Sequence, residues 1–464
     1  MALSIGLDSA IKALRAHQMV VDVASHNIAN AQTPGFSRQR VLLRPDSVAA
    51  LGRAGLDSRG QPGSGVAVTD IQRVRDTFLD FQARMSTSSQ KQYEALSDGI
   101  SQAELTFNEP SDNGISALLS KFFNAWHDVG NDPESPAART ALVHAATDLT
   151  ANIQRAYSDI ASLRGNLDQG VRAMVDQVNS RAGEIATLNQ QIVTVEATGQ
   201  TANDLRDRRD TLVDELAQLG QVSYVEQGNH ALSVYFGNHE LVNQSSAYAI
   251  AAVPDQANPG MNKLVFSDGA DVTSTSGRLR GLLDARDSAV PGVLAQLDTL
   301  SSGLITQVNA VHAVGFGLDG STGNPFFAGA GGADIAVDPT VANNTLKIAA
   351  STIAGTVGNS SNALAIDDLQ LSNTMVGGTQ TFEQYYGNIV SVLGADVSRA
   401  KGLAQANQLM SDHLEAQRQA TSGVNIDEEV SNMTAAQHAY QAAARVITTI
   451  DSMLDTLINQ TGVR

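Results

Sequence analysis

The apolar positions of this chain fall into long runs spaced four and three residues apart, the mark of helices that bury one narrow stripe. The first run is Leu3, Leu7, Ala10, Leu14, His17, Val21, Ala24 and Ile28. It is lean, with two alanines and a histidine among the aliphatics, and Pro34-Gly35 closes it in a turn. The C-terminal end carries a second lean stripe, Ile447, Ile450, Leu454 and Leu457, extended upstream through Val430, Met433 and Tyr440. Asp427, Glu428 and Glu429 open it, where carboxylates favour a helix N-terminus. Isolated helices of this length are marginal in water. The two ends of the chain are therefore expected to pair as a coiled coil; two independent surface helices are the other reading.

Between them the pattern changes twice. Leu142, Ala146, Leu149, Ile153, Ala156, Ile160, Leu163 and Leu167 alternate without a break. After a phase change near Gly165 and Gly170 the stripe continues as Val171, Met174, Val178, Ile185, Leu188, Ile192 and Val195, which predicts a long helical rod or bundle. Ile115, Leu118, Leu119, Phe122, Phe123 and Trp126 give a wider apolar face upstream. From Gln221 the period is two, through Val222, Tyr224, Leu232, Val234 and Phe236. Helix returns from Gly277 to Val311, residues 328–376 read as β and loops rich in Gly, Ala, Ser and Asn, and helix resumes at Phe382. The order predicts a mainly α fold with a β insertion. Its expected parts are a terminal helical, coiled-coil domain (1–85 and 425–464), a long-helix bundle (86–220, 277–315 and 377–424) and a β-rich domain inserted into it (221–276 and 316–376).

Composition narrows the function. Aromatics make up 5% of residues, against 42% hydrophobic overall, which suits long aliphatic and alanine seams. A net charge of −18 argues against nucleic acid, whose phosphates need clustered Lys and Arg. The absence of cysteine removes disulfides and thiolate chemistry. No apolar run approaches the length of a membrane span, and Lys12 and Arg15 interrupt the N-terminal stripe where a signal peptide would be continuous. The arginines at 38, 40 and 44 read either as an interaction surface or as a solvated loop.

Motifs that suggest chemistry fail on context. Gly315-Phe316-Gly317-Leu318-Asp319-Gly320 has the dinucleotide-loop spacing, but helix precedes it and Ser321-Thr322-Gly323 follows. His239-Glu240-Leu241-Val242-Asn243 puts Asn where a second zinc ligand would stand. His17 and His26 do not share a helix face. The alternating charges of Asp204-Leu205-Arg206-Asp207-Arg208-Arg209-Asp210 read as a solvated, ion-paired face. No cofactor, metal or catalytic residue is expected.

Ser25-His26-Asn27-Ile28-Ala29-Asn30 with Thr33-Pro34-Gly35-Phe36 resembles the N-terminal signature of bacterial flagellar axial proteins (rod, hook and hook-associated proteins). Asn425-Ile426-Asp427-Glu428-Glu429 and Gln437-His438-Ala439-Tyr440 resemble their C-terminal one. The segments 108–139, 204–219 and 277–327 look like the hook-associated protein 1 family in particular. The resemblance implies a structural adapter at the hook–filament junction, extracellular, exported through the flagellar type III apparatus without a cleaved signal peptide, with its β-rich domain outermost. It implies a ring of copies in contact with the hook protein and with a second junction protein. Terminal helices would assemble through Leu3, Leu7, Leu14, Val21, Ile28, Tyr440, Ile447, Ile450, Leu454 and Leu457. Asn27, Asn30, Thr33, Pro34, Gly35 and Phe36 would form the axial motif. The C-terminal stretch, with Ile426, Val430, Met433 and Ile447, would meet an export chaperone. A hook, rod or filament subunit would share the ends, and an enzyme carried on an axial scaffold would need a constellation that the β segments lack.

Overall fold

The computed structural model describes residues 2–46 and 64–460, with the side chains of residues 2–4 and 460 left aside. The loop expected after Pro45 and the last residues of the 425–464 stretch lie outside the described residues, as does the side chain of Leu3.

The chain begins with α1 (Ala2–Asn30), a hairpin of β1 (Gln39–Pro45) and β2 (Val66–Arg73), α2 (Thr77–Phe107), α3 (Ile115–Asn131), α4 (Pro136–Glu196) and α5 (Asn203–Leu219). Six short strands follow: β3 (Val222–Glu226), β4 (Leu232–Phe236), β5 (His239–Asn243), β6 (Ser246–Ala247), β7 (Ile250–Pro254) and β8 (Asn262–Phe266). Then come α6 (Gly277–Asp284), a π turn, α7 (Val290–His312), β9 (Phe327–Ala328), β10 (Ala336–Val337), α8 (Pro339–Ala342) and α9 (Ser361–Asp367). Two long helices close the chain, α10 (Phe382–Ser422) and α11 (Ile426–Asp455). The expectation of a mainly helical fold with a small β insert holds. Strands β3 to β6 form one antiparallel sheet in chain order, and β7 pairs with β8 in another.

Two compact units divide the chain. One comprises Met1–Thr87, Val178–Ala249 and Gln408–Arg464, the other Ser88–Gln177 and Ile250–Asn407. Strands β3–β6 therefore belong to the first and β7–β8 to the second.

In the second unit the predicted seam of α4 is realised residue by residue. Leu142, Ala146, Leu149, Ile153, Ala156, Ile160, Leu163 and Leu167 are all buried, none more than 6% exposed. They share one core with Phe122, Phe123 and Trp126 of α3, Leu297, Leu300, Leu304 and Val308 of α7, and Tyr386 and Ile389 of α10. The 61 residues of α4 make one unbroken helix. Its Leu163–Leu167–Val171 steps of four interrupt the 4-3 alternation as a four-residue stutter.

Residues 316–376 differ from the expected β and loops. Their only strands among the described residues are β9 and β10, two residues each. The rest is loop and short helix, and Phe326, Phe327, Ile335, Val341, Ile348 and Ile366 enter the same core. His312 pins this excursion: its Nδ1 faces Asn324 O at 2.8 Å and its Nε2 accepts from the Ala349 N–H at 2.9 Å. That pairing makes it the neutral Nδ1–H tautomer, and burial pulls its pKa down to about 4, reinforced by Arg139. Gly315-Phe316-Gly317-Leu318-Asp319-Gly320 is a chain of turns, bridged from Phe316 to Ser351.

Candidate assembly site

In the first unit α1 and α11 run antiparallel. Gly6 comes against Ile450, Ser25 Oγ lies 3.8 Å from the Met433 sulfur, and Asn27 reaches Glu429. The buried residues of α11 are Glu429, Ala436, Ala443 and Ile450, one every seventh position. Met433, Tyr440, Ile447 and Leu454 form a parallel, half-buried line, while Ile426, Val430 and Leu457 are exposed.

On α1 the buried residues are Ala10, Ala16, Val23, Ala24 and Asn27. Leu7, Leu14, Val21 and Ile28, expected as the seam, are only half-buried. Small side chains hold the closest approaches because α1 is shared between α11 and the β1–β2 hairpin, and alanine lets two backbones come near together. Periodicity locates the stripe; residue size decides which part of it is sealed.

Polar groups lock the pair. Asn27 Nδ2 donates to Gln39 O at 2.8 Å and to Glu429 Oε2 at 3.1 Å, while its Oδ1 accepts from Gln39 N at 3.0 Å. Arg38 donates through Nε to Glu429 Oε1 at 2.7 Å and clamps Glu428 with both terminal nitrogens at 3.1 and 2.9 Å. Hydrogen bonding from Glu428 outweighs partial burial and holds the Arg38 pKa above its ordinary value. Asn425 caps α11, accepting from the Asp427 and Glu428 amides. The first-turn carboxylates thus do more than answer the helix dipole: two of the three are claimed by Arg38.

The Thr33-Pro34-Gly35 turn supports this lock. Asn30 Nδ2 donates to His26 O at 3.1 Å, and Thr33 Oγ1 donates to Asn30 Oδ1 at 3.2 Å. Gly35 has φ +79°, and a side chain there would collide with Thr211, so glycine is required twice over. Phe36 meets His26 edge-on, ring centres 5.4 Å apart, while Pro34 is exposed.

Next in sequence, Ser37 donates from its N–H and hydroxyl to Asp207 at 2.9 and 2.8 Å. Arg73 spans Asp207 and Asp210 at 2.8 and 2.7 Å. Arg75 pairs with Asp210 and Asp80, and Arg418 of α10 with Asp80 and Asp214. Burial opposes the Asp210 charge, but the surrounding arginines, Arg75 foremost, win and hold its pKa down to about 2. The face of α5 expected to be solvated and ion-paired is ion-paired but only partly solvated: Asp204 and Arg208 are exposed, while Asp207 and Arg209 are 5% and 1% exposed. Arg73 and Ser37 cover Asp207, exchanging water for an ion pair and hydrogen bonds, and Arg209 is held by Asn189 Oδ1 and the His230 carbonyl.

Asn27, Asn30, Thr33, Pro34, Gly35 and Phe36 therefore gather into one structure. Arg38, Gln39, Glu429, Asp207 and Arg73, which carry the lock, are not among the expected site residues; the charge runs at 38–44 and 204–210 mark Arg38 and Asp207, the acidic first turn at 427–429 marks Glu429, and no pattern marks Arg73. A cleft of about 710 Å³ opens beside the turn, walled by Arg75, Arg418, Asp214 and Glu428. Ion-paired side chains make up these walls, and the Ser37 hydroxyl that also lines the cleft is buried and bonded to Asp207. Among the described residues no three His, Asp or Glu converge as a metal site.

Comparison with known proteins finds flagellar axial relatives along most of the chain. The profile described as "Flagellar hook-associated protein FlgK helical domain" matches residues 100–327. Those for a flagellar basal body rod protein and for the C-terminal region of basal body rod FlgEFG proteins match residues 7–36 and 415–460. Flagellar hook-associated protein 1 of Bacillus subtilis is 29% identical over 99% of this chain and 98% of its own length. That of Escherichia coli is 26% identical over 98% of this chain and 99% of its own. The structure of the flagellar hook junction protein FlgK from Burkholderia pseudomallei superposes with a TM-score of 0.67 at 18% identity, covering 74% of this chain and all of that one.

Proposed function

We propose, from its likeness to flagellar hook-associated protein 1 over nearly the whole chain, that this protein is a structural adapter of the bacterial flagellum, joining the hook to the filament. Copies form a ring on the distal end of the hook, contact the hook protein below and a second junction protein above, and offer a surface on which later filament-type subunits assemble. The family is one of structural flagellar proteins, and the paired charges around the lock give no reason to add catalysis. The protein works outside the cell, reached through the flagellar export apparatus.

One observation carries the reading: the two ends of the chain, 400 residues apart, are locked together by Asn27, Arg38, Glu428 and Glu429, yet much of the apolar surface of α11 stays uncovered. A pair that is locked but unfinished suits a subunit whose neighbours complete it. The apolar C-terminal helix is also the segment an export chaperone would shield before assembly, with Ile426, Val430, Met433 and Ile447 as contacts.

Deletion of the gene, followed by electron microscopy of the cell surface and an assay of flagellin in the medium, tests the adapter role. Hooks without filaments, with flagellin lost to the medium, are expected. Missing hooks would move the protein to the hook or rod, and normal filaments would overturn the proposal.

A further inference from the structure

A cavity of about 270 Å³ lies within the second unit. Arg139 from the first turn of α4, the turns at 316–320 that include Asp319, Ser351 and the loop at 355–357 wall it. Arg139 is only 1% exposed, and all its bonds go to neutral carbonyls. Its Nε donates to Pro133 O at 2.8 Å, and its Nη1 to Thr345 O and Ile348 O at 3.1 and 2.8 Å. Among the described residues Nη2 meets no acceptor and no carboxylate pairs with the guanidinium. A cation buried without a counter-ion is costly. Burial accordingly pulls the Arg139 pKa down to about 10, with the Asp319 charge opposing.

Asp319 is the carboxylate in the wall. Its Oδ1 accepts from the Ser321 amide and hydroxyl at 3.0 and 2.5 Å. Its Oδ2 receives no hydrogen bond among the described residues: Lys347 Nζ stands 3.8 Å away, close enough for charge but too far for a bond. The cavity wall therefore holds one unspent donor, Arg139 Nη2, and one unspent acceptor, Asp319 Oδ2. Arg139 and Lys347 against Asp319 leave one positive charge over.

A ligand that answers all three must carry acceptor oxygens, negative charge and an O–H. Inorganic phosphate does, since both of its forms near neutral pH keep a proton; sulfate and simple carboxylates have none to give. The planar guanidinium fork suits such an oxyanion. We propose that this cavity binds inorganic phosphate, Arg139 Nη2 donating to a phosphate oxygen and Asp319 accepting from the phosphate O–H. The site belongs wholly to the second unit and goes beyond the adapter reading without resting on it.

Calorimetric titration of the full-length protein with sodium phosphate, and separately with sodium sulfate, tests this at an ionic strength held constant with chloride. Saturable phosphate binding is expected, roughly tenfold tighter than sulfate, the worth of one hydrogen bond to a charged group. Arg139→Met is expected to abolish it. That variant also gives up three carbonyl bonds, so Asp319→Asn provides a gentler check. An amide oxygen still accepts from Ser321, while the repulsion that excludes a fully ionised anion is gone, and the preference for phosphate over sulfate should disappear. No saturable phosphate binding to the unaltered protein would mean that the cavity holds water alone, and overturns the proposal. Phosphate binding that survives in folded Arg139→Met places the anion elsewhere and also overturns it. If Arg139→Met does not fold, Asp319→Asn decides: an unchanged preference for phosphate sinks the assignment.

Discussion

Helices α4 and α11 are both long and both striped at heptad spacing, but they finish that stripe differently. From Leu142 to Leu167 every seam position of α4 is sealed, with large side chains meeting α3, α7 and α10. Over its thirty residues α11 buries four, and those are two alanines, one isoleucine and one glutamate held by Arg38 and Asn27. The second unit thus completes its core within one chain. The terminal pair reaches its register through polar bonds and, apart from Val23 and Ile450, leaves its large apolar residues half or wholly open. Sealed aliphatic burial gives stability that needs no partner, about 1.5–3 kcal/mol for each large side chain. A polar lock gives specificity of pairing while holding apolar area in reserve for neighbouring copies.

Substitutions should separate the two regimes, beginning with the deepest. Trp126→Ala empties the centre of the second unit, where the ring packs on Phe326 and His312, and is expected to cost about 4 kcal/mol in denaturant unfolding. A similar substitution on α11 should not approach that figure, and equal losses would erase the contrast.

The next effect is a pH dependence of the core unit. Unfolding returns His312 from about 4 to its ordinary 6.5. Between those values the unfolded chain therefore binds the extra proton, so stability falls as pH drops from 6.5 towards 4 and is flat above 6.5. The loss should be roughly 3 kcal/mol at about 1.4 kcal/mol per unit. His312→Gln should flatten that part of the curve, and an unchanged slope would assign it to other groups.

Arg38→Ala tests the lock. It strands the buried Glu429 carboxylate and is expected to loosen α11 by about 2 kcal/mol, below the ~3–5 of a fully buried pair because Arg38 is partly solvated. Faster amide exchange confined to α1 and α11 would show this, and unchanged exchange there would remove the lock from the account. Smallest is Val446→Ala at an exposed position of α11, expected within about 0.5 kcal/mol in the free chain. A large effect there would mean that α11 already has a hidden partner.

How far the sequence revealed these regions follows the same division. The α4 seam was legible because all of its apolar residues are buried and most are large, so period alone locates the core. On α1 the period found the stripe, but the tightest contacts belong to Ala10, Ala16, Val23 and Ala24, and hydrophobic size misleads where backbones approach closely. Asn27 was marked only by family likeness, since no periodicity announces a buried amide. Asp207 and Arg209 looked like surface charge because alternation along a helix carries no information about Arg73 arriving from β2 or about Asn189 and the His230 carbonyl meeting Arg209. In 316–376 scattered apolar residues reach a distant core through loops, which a local pattern does not record.

The central claim is that the terminal pair is left unfinished in the single chain and completed by its neighbours. Amide hydrogen exchange tests it most directly, measured on the free full-length chain and again on isolated flagella. The account predicts that residues 426–455 exchange by local opening, far faster than 142–167 in the free chain, and become protected on assembly. Equal protection of both stretches in the free chain would contradict it.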